Sequence, residues 1–237
     1  MNRQLRLQLA ARASHRRETF IVSASNAEAV RALDAWPTWH GGVLALVGQE
    51  GSGKTHLAQA WLAETRAVEV EPTAPPSDFR DLAGRPVLME HADRSDPETL
   101  FHLINMAAQP GGSLLLTARA APATWPTSLP DLRSRLNALH VAELGPPDDE
   151  LLEGVLQKFF RERHIRPSDD IFPYLIRRME RSVPVALALV ERLDDASDAE
   201  QRSVSRALAR QILEEGDQTQ DLFATRLASP DSSEDNG

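Results

Sequence analysis

Eight residues, Gly48-Gln49-Glu50-Gly51-Ser52-Gly53-Lys54-Thr55, constrain this chain more than any others. They fit the pattern G-x-x-x-x-G-K-[ST], in which each fixed position has a physical reason. Glycines at 48, 51 and 53 let backbone N–H groups turn inward around phosphate oxygens, with Ser52 between them. Lys54 places a cation on the β- and γ-phosphates, and Thr55 offers its hydroxyl to Mg²⁺. His56 opens the helix whose positive dipole end faces the same anion. The apolar run GVLALVG precedes the motif and HLAQAWLAET follows it, so it sits between a buried strand and a helix, as it must. Lysine is scarce here: of 26 basic residues only Lys54 and Lys158 are lysine.

The remaining periodicity organises the chain around this motif. The stretch AEAVRALDAW reads as a helix with Ser25 or Asn26 as its N-cap. VEVEPTAPPSDF carries a short strand and a Pro-rich loop, RPVLMEHAD a strand with a polar end, PETLFHLINMAAQP a helix and GGSLLLTARA another strand. Short apolar strands alternating with helices predict an α/β unit with a parallel sheet covered on both faces. After Pro146-Pro147 the pattern becomes helical only, in DDELLEGVLQKFFRERHI, SDDIFPYLIRRME, PVALALVERLDDAS and EQRSVSRALARQILEE. The expected division is an N-terminal tail over 1–12, a nucleotide-binding domain over 13–147, a small all-helical lid domain over 148–215 and a disordered acidic tail over 216–237.

Composition excludes several classes. There is no cysteine, hence no disulfide framework, thiolate-bound metal or thiol catalysis. The net charge of −9 is the wrong sign for a protein that wraps nucleic acid, and direct sequence-specific DNA binding is not expected. No apolar run approaches the roughly 18 residues of a membrane span, and no signal-peptide core follows Met1, so the expectation is a cytoplasmic protein without a membrane partner.

A P-loop ATPase needs acids at a neighbouring strand end to order Mg²⁺ and the attacking water. The strand end here is Met89-Glu90-His91-Ala92-Asp93. Glu90 can help hold magnesium with Thr55. His91 stands where a second carboxylate is usual, and Asp93 is two residues further on. The site therefore reads as built to bind ADP or ATP with Mg²⁺ and weak at hydrolysing it. Thr117, at the end of the next strand, stands where a polar residue would sense a γ-phosphate.

Taken in order, Phe20 to Asn26, the P-loop, Thr117, Leu129-Pro130-Asp131-Leu132-Arg133-Ser134-Arg135-Leu136 and Pro146-Pro147-Asp148 resemble the AAA+ module of the DnaA/Hda family of replication regulators. The resemblance covers about residues 18–213. No DNA-binding helix-turn-helix is expected in 216–237. The resemblance implies an AAA+ P-loop module followed by a helical lid. It also implies that Arg135 is an arginine finger offered in trans, with Arg133 off the finger position. Two departures stand out. Pro184 occupies the place of a nucleotide-sensing arginine, and Ser23 a place that is often glycine beside the adenine.

Gln4-Leu5-Arg6-Leu7-Gln8-Leu9 completes the resemblance to the Hda branch, since it fits a hexapeptide that binds the bacterial sliding clamp. An extended peptide would lay Leu5, Leu7 and Leu9 toward apolar pockets while Gln4 hydrogen-bonds at one end. Three leucines gain roughly 1.5–3 kcal/mol each. Ordering six residues costs roughly 1–2 kcal/mol each, so one peptide binds weakly and the repeated sites of a ring add affinity. The implied function is negative regulation of replication initiation by stimulating hydrolysis of DnaA-bound ATP. Implied partners are DnaA and the clamp; the sequence leaves association with a second copy of this chain open. The alternative is a stand-alone AAA+ ATPase that loads a helicase or another protein. A small-molecule kinase would share only the P-loop.

Overall fold

The computed structural model of the chain describes residues 17–214. They form two compact units, divided in sequence between Leu151 and Leu152. The expected N-terminal clamp-binding tail (1–12) and acidic C-terminal tail (216–237) lie outside the described residues.

The first unit holds five strands: β1 (Val43–Gly48), β2 (Val68–Glu69), β3 (Pro86–Met89), β4 (Ser113–Ala118) and β5 (His140–Leu144). They pair in the order β2-β3-β4-β1-β5, every pair parallel. Four helices accompany them: α1 (Ala27–Asp34), α2 (Lys54–Thr65), α3 (Pro97–Ala107) and α4 (Pro130–Ala138). The α/β expectation holds, and it follows from the apolar strands. All six residues of β1 and of β4 are buried, because alternate side chains enter two different cores. Leu44 and Leu46 join α1 and α2 through Leu33, Leu57 and Trp61. Val43 and Ala45 join α3 and α4 through Leu103, Leu132 and Leu136. Each buried leucine contributes roughly 1.5–3 kcal/mol, which fixes the register of the central strands.

Two elements depart from the sequence reading. β5 was not expected, because His140, Val141 and Glu143 face solvent and break its apolar run. It exists by pairing with β1, Val47 opposite Glu143. Asn26 does stand at the N-cap of α1, but its side chain does not cap it. Its Oδ1 accepts from the Ser23 N–H at 3.0 Å and its Nδ2 donates to the Ile21 carbonyl at 3.0 Å, folding the loop before the helix.

Among its described residues the second unit has helices and no strand. α5 (Asp149–Glu162) leads into it, followed by α6 (Ile171–Ile176), α7 (Val183–Glu200) and α8 over 206–214. Leu156, Phe160, Leu175, Val190, Leu193 and Leu208 form its apolar interior. Pro184 lies in the first turn of α7, where a missing N–H costs no helical bond. Among the described residues no helix is long and apolar enough to cross a membrane.

Candidate functional site

Register places the site. Val47 of β1 lies opposite Ala118 of β4, and Leu116 of β4 opposite Met89 of β3. The residues that follow these strands therefore emerge together at the carboxyl edge of the sheet, where ligands bind in open parallel sheets. They are the P-loop, Glu90 and the segment from Thr117 to Arg119.

The loop leaves β1 through positions that only glycine fits. A Cβ on Gly48 would stand 2.5 Å from the Leu144 carbonyl oxygen and 2.9 Å from Ser52 Oγ. Gly53 has φ +98°, and a Cβ there would press on the Phe20 ring at 3.0 Å. Phe20 also meets the His56 ring edge-on, with centroids 5.3 Å apart. Lys54 begins α2 and turns its Nζ back on the loop, donating to the carbonyls of Gly48 (2.7 Å) and Gln49 (2.8 Å). Burial and the nearby Arg119 charge push its pKa down, against the pull of Glu50 and Glu90. Burial is the larger cause, because it withdraws the ammonium from water. Ser52 Oγ is buried with no hydrogen-bond partner among the described residues, an uncommon and costly state for a hydroxyl. A glycine-built loop, an orphan hydroxyl and a partly buried lysine turned onto the loop together fit a phosphate chain.

Thr55 and Glu90 meet directly. Thr55 Oγ1 donates to Glu90 Oε2 at 2.7 Å, and Gln59 Nε2 donates to Glu90 Oε1 at 2.9 Å. The same amide donates to Glu69 Oε1 at 3.0 Å. Among the described residues no three His, Asp or Glu side chains gather into a metal site of their own. Thr55 and Glu90 fit Mg²⁺ as two oxygen donors beside phosphate and water, the usual way this ion is held.

His91 has left-handed backbone geometry (φ 53°) and ends the strand. Its N–H donates to Thr117 Oγ1 at 3.2 Å, and Thr117 is 1% exposed. Thr117 thus stands near the carboxyl end of β4, with its oxygen accepting from that turn. Asp93 is exposed in the following 3-10 turn, Ala92–Arg94. At the second-acid position the structure offers an imidazole.

Arg135 occupies another surface. It is exposed on α4, on the sheet face opposite α2, with its guanidinium carbon 5.2 Å from the centre of the Phe101 ring. Arg133 is committed internally, donating to the carbonyls of Ala123 (2.7 Å) and Trp125 (2.6 Å). The two arginines of one motif thus have separate employment.

Sequence reasoning missed Gln59, Glu50 and Arg119. Gln59 lies four residues after Thr55, one helical turn on, and that spacing could have found it. Arg119 pairs with Glu50 across 69 residues of sequence, a contact with no local signal. Gln4, Leu5, Leu7 and Leu9 lie outside the described residues.

No family model matches the chain. Solved structures do. Domain III of the replication initiation protein DnaA from Thermotoga maritima superposes with TM-score 0.69 at 17% identity, over 86% of this chain and 97% of that one. Replication initiator DnaA bound to AMPPCP and single-stranded DNA gives TM-score 0.66 at 17% identity, over 94% of this chain and 77% of that one. A variant of Thermotoga maritima RuvB gives 0.63 at 17% identity, over 84% and 71%. These likenesses establish the fold: a parallel five-stranded sheet flanked by helices, the AAA+ P-loop fold of DnaA and RuvB.

Proposed function

We propose that this chain is a nucleotide-binding regulator of replication initiation that presents Arg135 to ATP held by DnaA. In this reading the N-terminal tail, through Gln4, Leu5, Leu7 and Leu9, anchors the chain on the DNA-loaded sliding clamp. ADP or ATP with Mg²⁺ occupies the chain's own P-loop and sets its conformation or its association with a second copy. The DnaA-like fold supports the replication setting, and its AMPPCP-bound neighbour supports a nucleotide in the P-loop.

Each residue has a task. Backbone N–H groups of Gly51, Ser52 and Gly53 and the ammonium of Lys54 receive the phosphates; Thr55 and Glu90 hold Mg²⁺. His91 lacks the carboxylate that would polarise water, so the bound nucleotide persists. Arg135 acts on the partner's nucleotide. A planar guanidinium meets charge that grows on the transferred phosphoryl group, an effect of roughly 10³ to 10⁵ in rate where GTPases have been measured. The observation that carries the reading is the split between Arg133, consumed by two backbone carbonyls, and Arg135, exposed and without an ion pair to any described residue.

The test is conversion of DnaA-bound ATP to ADP with clamp loaded on DNA. The chain should stimulate it, and a chain lacking residues 1–12 should not. Absence of stimulation by the intact chain, with ATP hydrolysis of its own, would favour the stand-alone loader.

A further inference from the structure

Two carboxylates and one amide meet beneath α2, and strand register explains why. Glu69 of β2 lies opposite Leu88 of β3, so the two side chains stand on the same face of the sheet. Glu90 is two residues beyond Leu88 and returns to that face. Leu88 belongs to the buried cluster that holds Leu57 and Trp61 of α2, so this is the face that α2 covers. On α2, Thr55 and Gln59 are one turn apart and share a side. Acids from two neighbouring strands thus arrive under one helix, with an amide between them.

Gln59 Nε2 donates to Glu69 Oε1 at 3.0 Å and to Glu90 Oε1 at 2.9 Å. Both amide protons are thereby used, and ionised carboxylates only accept, so the nitrogen of the amide must face them. The two acceptor oxygens lie within about 6 Å of each other, where like charges repel. The amide holds these acids side by side before any cation arrives. The oxygen of Glu90 left over, Oε2, accepts from Thr55 Oγ1 at 2.7 Å. Glutamate is among the side chains with the most rotamer freedom, so its carboxylate faces one way only if something holds it.

We propose that Gln59 is a positioning residue for magnesium, which fixes the Glu90 carboxylate so that Oε2 is presented beside the Thr55 hydroxyl. This rests on the P-loop being a site for nucleotide with Mg²⁺. Gln59 acts through Glu90 rather than on the ion. Mg²⁺ demands near-ideal geometry and takes few protein oxygens, so the direction of each one counts.

The experiment is equilibrium titration of the full chain with fluorescent ADP, in EDTA and over a series of Mg²⁺ concentrations. Gln59→Leu keeps the bulk and removes both donors. It should raise the Mg²⁺ concentration needed for half of the gain in affinity about fivefold, the worth of one hydrogen bond. Affinity in EDTA should stay within about twofold of wild type, as for a neutral surface change. In the Glu90→Gln background Gln59→Leu should add nothing, since its effect passes through that carboxylate. An unchanged urea midpoint separates lost positioning from misfolding, and Gln59→Met, close to glutamine in shape, repeats the measurement if Gln59→Leu unfolds earlier. An equal loss in EDTA, or a loss that adds in full to that of Glu90→Gln, would overturn the proposal: Gln59 would then serve the fold alone. An unmoved Mg²⁺ midpoint would overturn it too. Lys54→Ala keeps the two failures apart. If Lys54→Ala binds ADP as wild type, the P-loop reading fails and this proposal with it. If Lys54→Ala loses ADP while Gln59→Leu responds to Mg²⁺ as wild type does, only the assignment of Gln59 fails.

Discussion

Thr55 and Glu90, 35 residues apart in sequence, are joined by a 2.7 Å hydrogen bond from hydroxyl to carboxylate. The bond spans the gap between the start of α2 and the end of β3, and Gln59 holds the other carboxylate oxygen. Two oxygen donors are thereby set side by side before any cation arrives. Glu90→Gln keeps the size and removes the charge. It should lower Mg-dependent nucleotide affinity by about tenfold, one charge-assisted contact. Affinity measured in EDTA should be unchanged. An equal loss in EDTA would place Glu90 in the fold rather than at the cation.

Lys54 gives a pH signature. Burial first, then the Arg119 charge, put its pKa below the ordinary 10.5. Phosphate binds the protonated form, so ADP affinity should fall as pH rises through this lowered value, earlier than for an ordinary lysine. In the nucleotide-free chain the unfolded state holds more protons between the lowered and the ordinary value, so stability should rise with pH across that window. Titration calorimetry from neutral to alkaline pH reads the first effect. Lys54→Ala should bind ADP far more weakly and without that slope; a slope that persists would assign the titration to another group.

Hydrolysis by the chain alone should be very slow, because His91 replaces a carboxylate. A turnover near 1 per second, the low end of ordinary enzymes, would contradict this. His91→Asp should raise the rate, since aspartate tolerates the left-handed backbone at this position better than most residues. His91→Ala should leave the rate where it is. Release of phosphate from excess ATP, without DnaA, is the measurement.

Much of this was legible in the sequence, for identifiable reasons. The P-loop is read by spacing alone, since its chemistry is local. β1 and β4 announce themselves because both faces are buried and their residues are uniformly apolar. β5 does not, because an edge strand held by pairing to β1 needs no apolar run. α4 carries its motif plainly but its helix weakly; only Leu132 and Leu136 are buried in it, and Pro130 starts it without a capping side chain. The contacts of Glu50 with Arg119 and of Gln59 with Glu69 depend on which strands become neighbours, which the order β2-β3-β4-β1-β5 decides.

Asp148 ties the start of α5 to the loop before α1. Its Oδ1 accepts from the Leu151 N–H at 2.8 Å and its Oδ2 from the Ser25 N–H at 3.0 Å. Burial pushes its pKa up, but hydrogen bonds from Leu151, Ser23 and Ser25 outweigh that and hold it below its ordinary value. A carboxylate with a lowered folded pKa stabilises above its unfolded value, and the benefit is lost as pH falls through the folded one. Asp148→Ala should cost about 1 kcal/mol at neutral pH, the usual worth of an N-cap. The gap from wild type should shrink in strong acid. Urea unfolding at both pH values checks it; a gap independent of pH would deny the carboxylate its part.

In the proposed function Arg135 works on a neighbour's nucleotide. The most direct measurement is the rate at which DnaA-bound ATP becomes ADP in the presence of DNA-loaded clamp, comparing wild type with Arg135→Ala and Arg135→Lys. Both variants should keep nucleotide and clamp binding, because the guanidinium meets charge that develops only in the transition state. Stimulation should fall to background in Arg135→Ala. Lysine should not restore it, since a point charge lacks the planar fork. Wild-type stimulation by Arg135→Ala would show that another residue carries the role.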